Sequence, residues 1–275
     1  MTTTATPRAG PAPGRAQISQ RTLRIDRWWL APTVTVGVLT AFIGYATWAA
    51  FANADYYWRP YISPFYSPCL ATICLHARAG ATSGVHVPSV GIFGPWWVIS
   101  PAIIILVVPL GFRLTCYYYR KAYYRAFWRS PPACAVTEPH RRYSGETRFP
   151  LILQNLHRYF FYLGFVLNAI LTYDAVVAFR NHGGQWGHAG LGTAVLLVNA
   201  GLLWLYTLGC HSCRHVIGRV KHFGHHPVRY RAWSLVSWLN GRHMQFAWAS
   251  LIFVALTDLY VRLVSSGSIS DPRFF

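Results

Sequence analysis

The chain has 275 residues, 53% of them hydrophobic and only 12% charged, about half the charged share of an ordinary soluble domain. Its 12 Trp, 17 Tyr and 16 Phe match the interfacial aromatic enrichment of membrane proteins, so the soluble globular class is excluded. A net charge of +18 would suit nucleic acid, but its distribution excludes that partner: basic residues cluster at Arg8 to Arg27, Arg113 to Arg148 and Arg214 to Arg242, outside the apolar segments.

Residues 1–25 open with a Pro-, Ala- and Thr-rich stretch and read as a disordered cytoplasmic tail. From there the apolar runs predict an all-α membrane protein, a bundle of five transmembrane helices within residues 26–265. The expected spans are about 30–53, 90–115, 150–178, 189–213 and 236–263, each long enough to cross a hydrocarbon core of about 30 Å. The first span carries no charge. The second holds Pro95, Pro101 and Pro109, which should kink it. Under the positive-inside rule the basic clusters face the cytoplasm, and residues 266–275 form an external tail in the plasma membrane topology. These clusters also suit anionic lipid or an acidic partner.

The loop at 54–89 is then external, on the oxidising side. Its Cys69 and Cys74 are read equally well as a disulfide or as two packed thiols. The cytoplasmic loop at 116–150 is dense in Tyr, Trp, Lys and Arg, as befits a membrane-interface belt or a seat for another protein.

Chemistry concentrates at one depth. Cys116, His157, Cys210, Cys213 and His243 each stand about twenty residues from the outer end of their own span, and equal offsets along helices rising 1.5 Å per residue mean equal depth. Each has a plainer reading, a buried thiol or a hydrogen-bonded histidine. Together, soft sulfur and imidazole donors suggest a metal centre. Three readings stand: a haem b between His157 and His243, structural zinc, or a Rieske-type [2Fe–2S] cluster with two Cys on one iron and two His on the other. The soluble Rieske signature of CxH and CxxH is absent. Which two of Cys116, Cys210 and Cys213 are ligands stays open, and His211 and His215 stand in reserve. A quinone pocket beside such a centre needs hydrogen-bond donors and apolar walls. Gln154, Arg158, Tyr117, Trp238 and Arg242 lie within a turn or two of that depth, although snorkelling and belt roles explain each of them as well. A transporter or scaffold would need ionisable groups or broken helices near the bilayer centre, and the middles of spans one, two and four are almost wholly apolar.

The runs RLTCYYYRKAYYRAFW, SPPACAV, GETRFPLILQNLHRYFFY and LTDLYVRLV resemble the membrane anchor subunit of actinobacterial succinate dehydrogenase (respiratory complex II), over about residues 25–265. Within that group the chain looks most similar to anchors holding a Rieske-type cluster rather than haem. The resemblance implies two partner subunits, a flavoprotein that oxidises succinate and an iron–sulfur protein that relays its electrons. It also implies reduction of a quinone, menaquinone, by this chain. A haem b-binding anchor of a succinate dehydrogenase or fumarate reductase is the alternative.

Overall fold

A computed structural model describes residues 26–70, 100–134, 136 and 151–275. Among them the chain forms eight α-helices: α1 Leu30–Ala52, α2 Pro101–Thr115, α3 Tyr117–Tyr123, α4 His157–Val177, α5 Leu191–Leu208, α6 His211–Gly218, α7 Pro227–Gly241 and α8 His243–Ser265. A π-helical turn, Tyr124–Trp128, prolongs α3, and a 3-10 turn, Leu151–Leu156, leads into α4. Among the described residues four segments are long and apolar enough to cross a membrane: α1, Ile152–Val177, α5 and α8. A fifth crossing results if α2 and the helix after it, bent by 77°, count as one span. The expected all-α membrane bundle is therefore observed.

The bundle is assembled from stripes rather than from an apolar interior alone. On α5 the buried residues are Gly192, Thr193, Leu196, Asn199, Ala200, Leu203, Tyr206 and Thr207, a helical period that faces α4 and α8. On α4 they are Phe161, Gly164, Asn168, Leu171 and Ala175, alternating three and four apart as a packing seam requires. Small and hydrogen-bonding residues at such seams let apolar helices associate where lipid removes any hydrophobic preference. Asn168 Nδ2 donates to the Leu203 carbonyl (3.1 Å) and to Thr207 Oγ1 (2.7 Å). Lipid-side positions stay apolar, as at Val34, Ile43, Trp48 and Phe51.

At one end of the bundle the segment after α1 forms a hairpin, Tyr57–Trp58 against Tyr61–Ile62. Tyr61 is fully buried between strands and α5, with its ring where a Cβ on Gly192 would lie. Burial pushes its hydroxyl up to about 12, so it stays protonated and donates to Asp271 Oδ2 (2.8 Å). The C-terminal tail returns to this end: Phe274 N donates to the Ala189 carbonyl (2.8 Å), and Gly190 pairs with Arg273. Cys69 is disulfide-bonded, and Cys74, its expected partner, lies outside the described residues.

The helix ends at the opposite pole depart from the expected spans. The fourth span stops at Leu208 instead of running to Cys213, and a separate helix α6 starts at His211. The fifth is split between α7 and α8 at Arg242. Asn240 Nδ2 donates to the Gly209 carbonyl (2.8 Å), and Arg229 reaches the Val216 and Ile217 carbonyls at the end of α6. These side chains supply the donors that the interrupted helices lack.

Candidate functional site

Each of four chemistry-bearing residues occupies a helix break. Cys116 is at once the last cap of α2 and the first cap of α3, with extended backbone (φ −62°, ψ 130°). Cys210 has nearly the same conformation (φ −66°, ψ 143°) ahead of α6, and its sulfur accepts from Ser212 N at 3.4 Å. His157 and His243 are the first residues of α4 and α8. Two extended cysteines and two helix-starting histidines thus meet at one pole of the bundle.

They meet in pairs. His157 Nε2 lies 3.0 Å from Cys210 Sγ, and His243 Nε2 lies 3.3 Å from Cys116 Sγ. The rings of the two pairs are linked by aromatic contact. His157 stacks on Phe112 (centroids 5.2 Å), Phe112 leans on Tyr206 (5.3 Å), and Tyr206 stacks on His243 (4.9 Å). Cys116, Cys210, Cys213, Phe112, Phe161 and Tyr206 belong to one buried apolar cluster. Apolar side chains thus surround the two sulfurs.

Thr115 sets the tautomer of His157. Its hydroxyl donates to the Gly111 carbonyl (2.7 Å) and lies 2.9 Å from His157 Nδ1. A hydroxyl has one hydrogen, so it accepts from Nδ1–H, which leaves the Nε2 lone pair facing Cys210. An imidazole fixed in this way is prepared to ligate through Nε2. His243 is less settled: its Nδ1 is buried and makes no hydrogen bond. Gly209 lies beside it, where a Cβ would stand in ordinary contact 3.4 Å from that nitrogen.

Zinc, haem and a Rieske-type cluster place different demands on this donor set. Among the described residues no three His, Cys, Asp or Glu groups gather closely enough to hold one metal ion, which is what structural zinc needs. A haem b would take only the two imidazoles and leave Cys116 and Cys210 without a part. Two imidazoles and two sulfurs, paired and enclosed, match in number and type the ligands of a Rieske-type [2Fe–2S] centre.

Of the remaining candidates, Cys213 is 4% exposed and packs in the apolar cluster without a hydrogen bond. His211 and His215 lie on the exposed face of α6, Nε2 to Nε2 2.9 Å apart, bonded to each other rather than to the pairs. The five expected quinone residues fall into two groups and a single. Arg120 stands over the Tyr117 ring (4.7 Å) and donates to Gln154 Oε1 (3.3 Å), while Gln154 Nε2 donates to Tyr123 and Tyr124. Arg242 stands over Trp238 (4.1 Å). Arg158 is exposed and makes no hydrogen bond to the other four. Arg113, Thr115, Phe112 and Tyr206 were not expected at the site. For Arg113 the available signal was a charge three residues inside an expected ligand, which usually means snorkelling.

Comparison with known proteins gives the setting. A family model described as actinobacterial succinate dehydrogenase subunit SdhC matches residues 30–267. A chain of the Mycobacterium smegmatis Sdh1 complex in its apo form is 53% identical, with a TM-score of 0.81, covering 96% of this chain and 98% of that one. No curated protein matches the chain. With its helical membrane bundle and a family match over nearly its whole length, the chain belongs to the SdhC family and is a membrane subunit of an actinobacterial succinate dehydrogenase complex.

Proposed function

We propose that this subunit carries electrons from the complex's iron–sulfur subunit to a quinone through a Rieske-type [2Fe–2S] cluster, with His157 and His243 on one iron and Cys116 and Cys210 on the other. The observation supporting it most is that two imidazoles and two cysteine sulfurs converge at one buried apolar cluster. Bound there, such a cluster supplies one-electron transfer at a higher potential than all-cysteine clusters.

The chain's own residues hold and insulate the centre. Thr115 keeps the His157 Nε2 lone pair pointed inward, and the Phe112 and Tyr206 rings keep water away. The helix breaks at Cys116 and Cys210 bring sulfur atoms to the starts of α4 and α8. This pole carries the basic loops and faces the cytoplasm in our reading, where the iron–sulfur subunit docks and the flavoprotein beyond it oxidises succinate. Oxidation of one succinate releases two electrons and two protons, which one quinone takes up as quinol. Menaquinone is the quinone we assign. The polar groups at Tyr117–Arg120–Gln154 and at Trp238–Arg242 are its candidate contacts, with exposed Arg158 a third and separate one.

Spectroscopy of the purified complex separates the readings. A Rieske centre gives an electron paramagnetic resonance signal on reduction that is not attributable to the partner's all-cysteine clusters; a Soret band identifies haem instead. Replacing His157 and His243 together by Ala is expected to remove that signal and quinone reduction, while succinate oxidation by an artificial dye continues. Retained quinone reduction would defeat the assignment.

A further inference from the structure

Arg113 sits one turn before Cys116 on α2 and is half-buried. Its Nη1 donates to Tyr119 OH (2.6 Å) and to the Ala247 carbonyl (3.2 Å), and its Nη2 to Ser250 Oγ (3.0 Å). The guanidinium lies over the Tyr206 ring (4.6 Å), the same ring that stacks on His243. His243, Ala247 and Ser250 are four and three apart on α8, so one helix face carries both the ligand candidate and the seat of the cation.

All of Arg113's partners are neutral. Among the described residues no carboxylate pairs with it; Asp258, the buried acid of α8, pairs with Arg262 at 2.8 Å instead. A guanidinium stays charged at any working pH. Held inside an apolar bundle without a counter-charge, it is costly, and such groups persist where they serve a neighbouring charge. Three hydrogen bonds fix where that charge stands, and the low local dielectric lets it act over several ångströms.

Resting on the cluster reading above, we propose that Arg113 is a potential-setting residue: its fixed positive charge behind Tyr206 and His243 favours the centre holding one additional electron and so raises its midpoint potential. Arg113 exchanges neither electron nor proton. The electron comes from the partner's reduced iron–sulfur cluster and leaves to quinone, and the guanidinium only shifts the balance between the two.

Potentiometric titration of the resonance signal in the purified complex tests this. Arg113→Gln is expected to weaken reduction of the centre about tenfold in equilibrium constant, a fall of about 59 mV for a one-electron couple. Arg113→Lys, which keeps the charge, should retain most of the wild-type midpoint. A merely structural arginine would lower thermal stability in both variants and leave the midpoint of each unmoved. Ser250→Asp offers an independent route with Arg113 in place, because a carboxylate against Nη2 neutralises the pair and should also lower the midpoint. An unchanged midpoint in Arg113→Gln or Ser250→Asp, or an equal fall in Gln and Lys variants, overturns the proposal. Absence of any such signal in the wild-type complex instead overturns the cluster reading.

Discussion

Thr115 shows how much of the site depends on residues that bear no redox chemistry. It accepts a hydrogen bond from His157 Nδ1–H only because its own hydrogen is committed to the Gly111 carbonyl. Thr115→Val keeps the shape and removes that acceptor, leaving the imidazole free to turn or to change tautomer. Losing an outer partner of a ligating histidine typically costs about 10–100-fold in metal affinity or activity. We expect Thr115→Val to lower both cluster content, measured as iron per complex, and quinone reduction within that range, with Thr115→Ser close to wild type. The histidines and cysteines themselves were legible in the sequence, because soft donors at one depth are rare enough to notice. Thr115 and Arg113 were not, since a threonine and an arginine near a helix end have many ordinary uses, and only the contacts of Gly111, His157 and Ser250 distinguish these two.

The elements carry the next part of the argument, in their interruptions. Continuous spans would place Cys210 and Cys213 on one face of a single helix; the observed break at Gly209 turns Cys210 alone toward His157 and gives Cys213 a packing role. A glycine before CHSC and another before Arg242 were the available signs, but an isolated glycine inside an apolar run is common in membrane helices. At Gly209 the reason is steric. A Cβ there would come within 2.8 Å of the Leu205 carbonyl and 3.2 Å of the Leu239 carbonyl, where α5 ends against α7. Backbone atoms cannot yield as a flexible side chain does. Gly209→Ala should therefore push α5 and α7 apart, disturb His243 beside them, and reduce iron content per assembled complex. Gly201→Ala, with open space around its position, is the control and should leave both assembly and iron content unchanged. Equal iron in the two variants would remove the break from the account of the site.

Across the whole molecule the two poles divide the work. The cysteine pole holds donors in an apolar cage, whereas the opposite pole locks the helices together with buried polar groups. The count of apolar runs made the bundle legible, since a hydrocarbon solvent leaves few alternatives to closed helices. The lock was not legible: Asp258 and Arg262 lie four apart near the end of α8, where a charge can either snorkel or serve a function. In fact Asp258 is fully buried and Arg262 5% exposed. Asp258 accepts from Arg262 Nε (2.8 Å), from Tyr45 OH on α1 (2.5 Å) and from Ser63 in the segment after the hairpin, while Arg262 reaches the Ala49 and Ala54 carbonyls. One ion pair thus ties α1, the hairpin segment and α8. Breaking a buried pair from one side leaves an uncompensated charge and costs about 3–5 kcal/mol, whereas removing both charges is often close to neutral. Asp258→Asn is accordingly expected to lower the midpoint temperature of this subunit in the purified complex by several degrees. Adding Arg262→Leu to that variant should recover part of the loss, although the bonds to Ala49 and Ala54 go with it. Because the lock sits at the pole away from His157 and His243, the resonance signal of assembled Asp258→Asn complex should keep its wild-type midpoint potential. A shifted potential with unchanged thermal stability would reverse the division of labour drawn between the two poles.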